Sequence, residues 1–182
     1  MRALDRYLRD VRIRKAQRFV HKGDAVLDIG CSDGAMFEQW SGLMGRGYGV
    51  DPTLSATQSG DGYTLYPGKF PEALPSLKCD VITMLAVLEH IPPSQQPGLA
   101  ASCHRLLNPG GRVVITVPSA HVDRILHLLS GLRVIDGMSI EEHYGFEAEK
   151  TVEIFGGSRF QLVCRERFQL GLNNLFVFEK GS

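Results

Sequence analysis

The residues best placed to do chemistry are Asp28, Gly30, Gly34 and Asp51. The first three stand in "VLDIGCSDG" at 26–34, an apolar run that passes an acid and stops at a glycine turn. Such a run reads as a buried strand ending at a site, where glycines let the backbone come close to a ligand. "GYGVD" at 47–51 is a second strand, and it ends in Asp51, about twenty residues past the turn. An acid at that distance accepts hydrogen bonds from a ribose diol. The helix that follows a glycine turn offers free N–H groups to carboxylates and phosphates. Together these features point to a nucleoside with a further group attached. The dinucleotide fingerprint is G-x-G-x-x-G. Here Cys31, Ser32 and Asp33 separate Gly30 from Gly34, and no glycine takes the fingerprint's third place. An NAD-linked oxidoreductase is therefore disfavoured.

The elements that must position these residues alternate along the chain. Leu4, Tyr7, Leu8 and Val11 recur at helical spacing, so residues 3–22 read as an amphipathic helix. Helices are also expected over "AMFEQWSGLM", over the second part of "PPSQQPGLAASCHRLL", over "HVDRILHLLSGL" and over "EAEKTVEIFGG". "PTLSATQSGDG" reads as a turn with at most a short helix, and "PEALPSLK" as a connection interrupted by Pro75. Strands are expected at "AVLDIG", "GYGVD", "YTLYPG", "CDVITMLAVLEHI", "RVVITVPS", "FQLVCRERF" and "NLFVFEK". Five strands alternating with helices imply a mostly parallel sheet covered on both faces. Only "QLGLN" separates the last two strands. That is too short for a right-handed crossover, so an antiparallel final pair is expected. The fold class is α/β: a doubly wound, mostly parallel seven-stranded sheet with an antiparallel last strand, in one domain over 1–182.

Composition sets the outer limits. The chain has 182 residues, with 20 basic and 20 acidic side chains. A dedicated nucleic-acid binder is disfavoured, and no basic groove with interleaved aromatics is evident. Charge is uneven, however. Residues 1–22 hold eight Arg or Lys against Asp5 and Asp10. This basic helix reads as a solvated face, or as an attractor for an anionic acceptor or an anionic lipid surface. The longest apolar run, "VITMLAVL", is too short to span a bilayer. The N-terminus lacks an apolar signal core. Four cysteines, Cys31, Cys79, Cys103 and Cys164, are widely spaced. They suggest neither a disulfide framework nor zinc, and a reducing cytoplasm is the expected compartment.

These motifs, in this order, resemble the class I S-adenosylmethionine-dependent methyltransferases, in particular the type 11 and type 23 small-molecule families. "VLDIGCSDG" is similar to their first motif, "GVD" to the second-strand acid and "CDVITMLAVLEHI" to the fourth-strand motif. "LLNPGGRVVITVPS" and "EEHYGFEAEKTVEIF" are similar to the segments that follow. The resemblance implies S-adenosyl-L-methionine as cofactor. Asp28 and the loop of Gly30, Cys31, Ser32 and Gly34 would face its methionine part. Asp51 would take both ribose hydroxyls, with Pro52 against the adenine. Main-chain carbonyls near Met84 and Leu85 would hold the amino group. Two departures stand out. Ser32 replaces the family's middle glycine, which a loop absorbs if φ is negative. Lys69, in "GKF", stands where the family often has an acid for the adenine amino group, which leaves adenine to main-chain atoms and Phe70.

A methyl acceptor with a neutral hydroxyl or amine benefits from a general base, typically by about 10²–10⁴-fold. Histidine suits neutral pH. His90 follows the fourth expected strand, His121 the fifth, and His143 precedes the last expected helix. Each is a candidate base, with a structural role as the default. Residues 1–22 are expected to act as a lid and residues 119–150 as the acceptor-pocket wall. Some quinone-biosynthetic relatives carry a metal-binding acid at the place of Ala86, so no metal is expected here. The sequence thus reads as an enzyme methylating a small molecule, by analogy at oxygen, as a monomer or homodimer. The alternative from another class is a cofactor-binding but inactive partner subunit.

Overall fold

A computed structural model describes residues 3–119, 147–157 and 159–181. Its elements, in chain order, begin with α1 (Ala3–Gln17), β1 (Ala25–Ile29), α2 (Ala35–Gln39) and β2 (Arg46–Asp51). A hairpin follows, β3 (Gln58–Gly60) and β4 (Tyr63–Pro67). Next come β5 (Cys79–Leu85), a 3₁₀ turn (Leu88–His90), α3 (Gln96–Leu106) and β6 (Leu107–Pro118). After the undescribed stretch, α4 (Lys150–Phe155) leads into β7 (Phe160–Phe168) and β8 (Asn173–Lys180).

The strands form one sheet in the order β3-β4-β2-β1-β5-β6-β8-β7. Pairings β4–β2, β2–β1, β1–β5 and β5–β6 are parallel. β8 runs antiparallel to both β6 and β7, as the short link between the last strands requires. From β1 the chain moves outward to β2 and β4, then returns to the other side of β1 as β5. Strand order therefore reverses between β1 and β5, and a crevice opens beyond their carboxyl ends.

Alternation along the central strands fills both faces of the sheet. Leu27, Ile82, Val113, Phe176 and Phe178 pack on the face covered by α3 and α4. Val26, Val81, Val114 and Val177 point the other way, onto Ile13 and Ala16 of α1 and onto Phe37 and Trp40. These side chains are almost wholly buried. Helix α1 is also fastened by charge: Lys15 and Arg18 both pair with Glu166 of β7.

Among the described residues the sheet has eight strands, one more than expected. The addition, β3, pairs antiparallel with β4 across an Asp61–Gly62 turn. Its residues, Gln-Ser-Gly, are all exposed and show no apolar alternation to read. Helix α2 is shorter than its sequence suggests: it ends at Gln39, and Gly42, at φ +78°, turns the chain away. β6 starts five residues early. The "NPGG" turn is absorbed as an irregularity, so that Cys79 pairs with Leu107 and Val81 with Arg112. The expected helix at "HVDRILHLLSGL" lies outside the described residues, as does most of the expected acceptor-pocket wall.

Candidate functional site

The glycine loop and the end of β2 are built as one unit. Gly30 N–H donates to the Val50 carbonyl at 2.8 Å. Ser32 N–H donates to Asp51 Oδ2 at 2.9 Å. Asp51 Oδ1 accepts from the Thr53 N–H and hydroxyl at 2.8 and 2.6 Å. Asp51 is 7% exposed. A carboxylate has about four acceptor sites. Three are used, so the turn-capping function and a remaining acceptor position coexist on this side chain.

Gly30 has φ +79°, and a Cβ placed there would lie 2.4 Å from Val87 Cγ2. Both facts require glycine. Ser32 also adopts a left-handed conformation, φ +48°. The condition under which a loop absorbs serine here, a negative φ, is therefore not met. The exposed Ser32 keeps the glycine-like backbone and carries the strain of a non-glycine residue there. Ala86, just past β5, is held at φ +61°, its N–H donating to the Thr116 carbonyl.

Asp28 lies beneath the loop, 5% exposed. β1–β5 register sets it opposite Thr83, whose hydroxyl donates to Asp28 Oδ1 at 2.6 Å. Burial pushes the Asp28 carboxyl up to about 7; the Thr83 bond opposes this, and the Asp51 charge adds to it. Burial, reinforced by Asp28 and Asp51, also pushes the Cys31 thiol up, which keeps it protonated and makes it no nucleophile.

A cavity of about 760 Å³ opens beside this unit. That is ample for a nucleoside cofactor. Among the expected site residues Gly30, Pro52, Phe70 and His90 line it, together with Lys69 and Glu72. Asp28, Cys31, Ser32, Gly34, Asp51, Met84 and Leu85 do not line it; they form the loop, its support and the neighbouring strand ends. His121 and His143 lie outside the described residues. Among the described residues no cluster of three or more His, Cys, Asp or Glu side chains is arranged to hold a metal.

Three features escaped the sequence reading. Arg9 of α1 forks onto both carboxylate oxygens of Asp33 in the glycine loop, at 3.1 and 3.0 Å. Arg12, one turn on, sits near the buried Glu89 carboxylate and Asp5; burial lowers its pKa and both acids raise it. Arg9, Arg12, Lys15 and Arg18 thus form a stripe at a spacing of three residues that is directed at the protein's own acids. That spacing was present in the sequence. The third feature is Thr83, whose role follows only from strand register.

A family model described as "Methyltransferase domain" matches residues 2–155. The chain belongs to the class I S-adenosylmethionine-dependent methyltransferases. A ubiquinone biosynthesis O-methyltransferase of Paraburkholderia phytofirmans is 30% identical over 142 residues, which is 72% of this chain and 60% of that protein. This chain therefore spans about three-fifths of the length of that relative. Two solved structures share the fold. The N-methyltransferase NodS from Bradyrhizobium japonicum matches with TM-score 0.70 and 16% identity, over 98% of this chain and 99% of that one. A Burkholderia thailandensis 1,6-didemethyltoxoflavin-N1-methyltransferase, solved with bound 1,6-didemethyltoxoflavin and S-adenosylhomocysteine, matches with TM-score 0.71 and 19% identity, over 98% of this chain and 82% of that one. Among the described residues no helix is long and apolar enough to cross a membrane.

Proposed function

We propose that this methyltransferase binds S-adenosylmethionine in the crevice beyond β1 and β2 and methylates an oxygen atom of a small molecule. The observation that carries the reading is the Asp51 carboxylate, tied to the glycine loop through Ser32 N–H beside a cavity of about 760 Å³. The O-methyltransferase relative supports oxygen as the acceptor atom.

When bound, the sulfonium cofactor supplies an activated methyl group for in-line displacement. The chain's own residues then mainly position. Asp51 accepts one hydroxyl of the ribose diol on its remaining acceptor position, in a charge-assisted bond worth roughly 1.5–3 kcal/mol. Pro52 and Phe70 bracket the adenine. The loop of Gly30, Cys31, Ser32 and Gly34 faces the methionine part, with Asp28 beneath it and the Met84 and Leu85 carbonyls at the amino group. Alignment of this kind supplies roughly 7–11 kcal/mol of barrier reduction.

His90 lines the same cavity as Pro52 and Phe70. This favours a place at the nucleoside half of the crevice rather than at the acceptor. His121 and His143 remain the candidates for a base. The basic stripe of α1 faces Asp33, Glu89 and Glu166, and this favours α1 as a clamp on the loop over an anion-collecting surface.

The test is methyl transfer from labelled S-adenosylmethionine to a panel of phenols, catechols, carboxylic acids and amines, with products identified by mass spectrometry. Labelled phenol or carboxylate products support the reading. Products from amines alone refute the choice of oxygen. Cofactor binding without turnover of any acceptor favours the inactive partner subunit.

A further inference from the structure

The segment that leads into α3 is a partition between two cavities. On one side Ile91, Pro92, Ser94 and Gln95 line the cavity of about 760 Å³, together with Pro52 and Phe70. On the other, Pro93, Gln96, Pro97 and Ala100 line a second cavity of about 480 Å³, together with Phe155 and Phe160. Close-packed side chains hold most internal walls in place. This wall has open space behind it, so packing alone does not fix its position.

The head of α3 is also thinly fastened. Its cap residue, Gln95, makes no side-chain hydrogen bond to the helix, and Pro97 has no N–H to contribute. Gln95 N–H donates to the Pro92 carbonyl at 2.8 Å, a bond within the wall itself. Gln96 supplies a tie to what precedes the wall. Its side chain is 8% exposed, and its Nε2 donates to the Ile91 carbonyl at 2.8 Å. Ile91 directly follows the 3₁₀ turn, and its own N–H donates to the Leu88 carbonyl at 3.2 Å. Leu99 and Ala100, one turn further along α3, pack into the core. Gln96 thus braces residues 91–95 between the turn after β5 and the packed part of α3, and it does so without lining the larger cavity.

We infer that Gln96 is a positioning residue for the cofactor: it touches no ligand, and its hydrogen bond to Ile91 holds the wall of residues 91–95 in the place that binding requires. The inference rests on the proposed cofactor reading and adds to it a residue that sets affinity from behind the cavity. Without the bond, the wall is free to relax into the second cavity, and the ligand must restore its position on binding.

The experiment is calorimetric titration of the full chain with S-adenosylhomocysteine. Wild-type, Gln96→Met and Gln96→Glu proteins are compared, and a urea transition checks the fold of each. Methionine keeps the length of glutamine and cannot donate, so Gln96→Met should weaken the ligand by about 3–10-fold. Glutamate can donate to the Ile91 carbonyl only when protonated. Burial raises the pKa of that carboxyl. Gln96→Glu should therefore bind within about 2-fold of wild type near pH 5 and about 3–10-fold more weakly near pH 8, each compared with wild type at the same pH. A residue that merely stabilises the fold would lower the urea midpoint and leave the affinity of the folded protein unchanged. Folded Gln96→Met with wild-type affinity therefore overturns the inference and leaves the cofactor reading standing. Should Gln96→Met not fold, a constant affinity ratio between Gln96→Glu and wild type over that pH range overturns it. Failure of the wild type to bind refutes the cofactor reading itself, and the inference with it.

Discussion

Replacing Asp28 by asparagine should make the ligand-free protein more stable above neutral pH, although it removes a hydrogen-bonded acid from beneath the glycine loop. Burial raises the Asp28 carboxyl from 3.8 to about 7. Between those values the folded protein holds a proton that the unfolded chain has released. Stability from this group is complete below about pH 4 and is lost as pH rises through about 7. From pH 5 to pH 8 the loss amounts to roughly 2–3 kcal/mol, at about 1.4 kcal/mol for each pH unit over which the two states differ by a whole proton. Asparagine keeps the geometry, since the Thr83 hydroxyl can donate to its amide oxygen as it does to Asp28 Oδ1, and it does not titrate. Urea unfolding of both proteins at several pH values measures the difference. The variant should gain on the wild type by roughly 2–3 kcal/mol between pH 5 and pH 8. A stability difference that stays constant to within about 0.5 kcal/mol over that range would refute the account of a desolvated carboxyl.

Further outcomes follow from the loop and the cavity beside it. Gly30→Ala meets both a positive φ and a Cβ 2.4 Å from Val87 Cγ2, so urea unfolding should show a loss of roughly 2–4 kcal/mol. Adding Val87→Ala should recover only part of it, because the backbone conformation is still wrong; full recovery would contradict the φ argument. Ser32→Gly should lie within about 0.5 kcal/mol of wild type, since relief of the left-handed conformation offsets the added freedom of the unfolded chain. Ser32→Val, β-branched at φ +48°, should lose roughly 1–2 kcal/mol. His90→Ala should raise the cofactor KM by about 2–5-fold, as for a weak cavity contact, and leave the pH dependence of kcat unchanged. Loss of the basic limb of that profile would make His90 the base after all.

Much of this molecule was legible because its signals are local. Each strand with two buried faces announces itself as an apolar run, and β1 and β2 end at the acids that matter. The final antiparallel pair followed from five residues of linker. β3 was not legible: three exposed polar residues acquire strand geometry only because β4 offers an edge. The early start of β6 was missed for a related reason. "NPGG" reads as a turn, and only the pairing of Leu107 with Cys79 makes it part of a strand. At the site, Asp51 and the glycine loop could be read directly. The support beneath them could not, because Thr83 meets Asp28 through register between strands 55 residues apart. Ser32 shows that residue type alone does not decide a backbone conformation that the surrounding hydrogen bonds impose.

The central claim is that the Asp51 carboxylate holds the ribose of the cofactor, and calorimetric titration of S-adenosylhomocysteine into wild-type and Asp51→Ala protein tests it most directly. The fold of the variant is checked by its urea transition. The account predicts saturable one-to-one binding by the wild type and a loss of about 10–100-fold in the variant, as expected for one charge-assisted hydrogen bond. A folded variant that binds with wild-type affinity would contradict it.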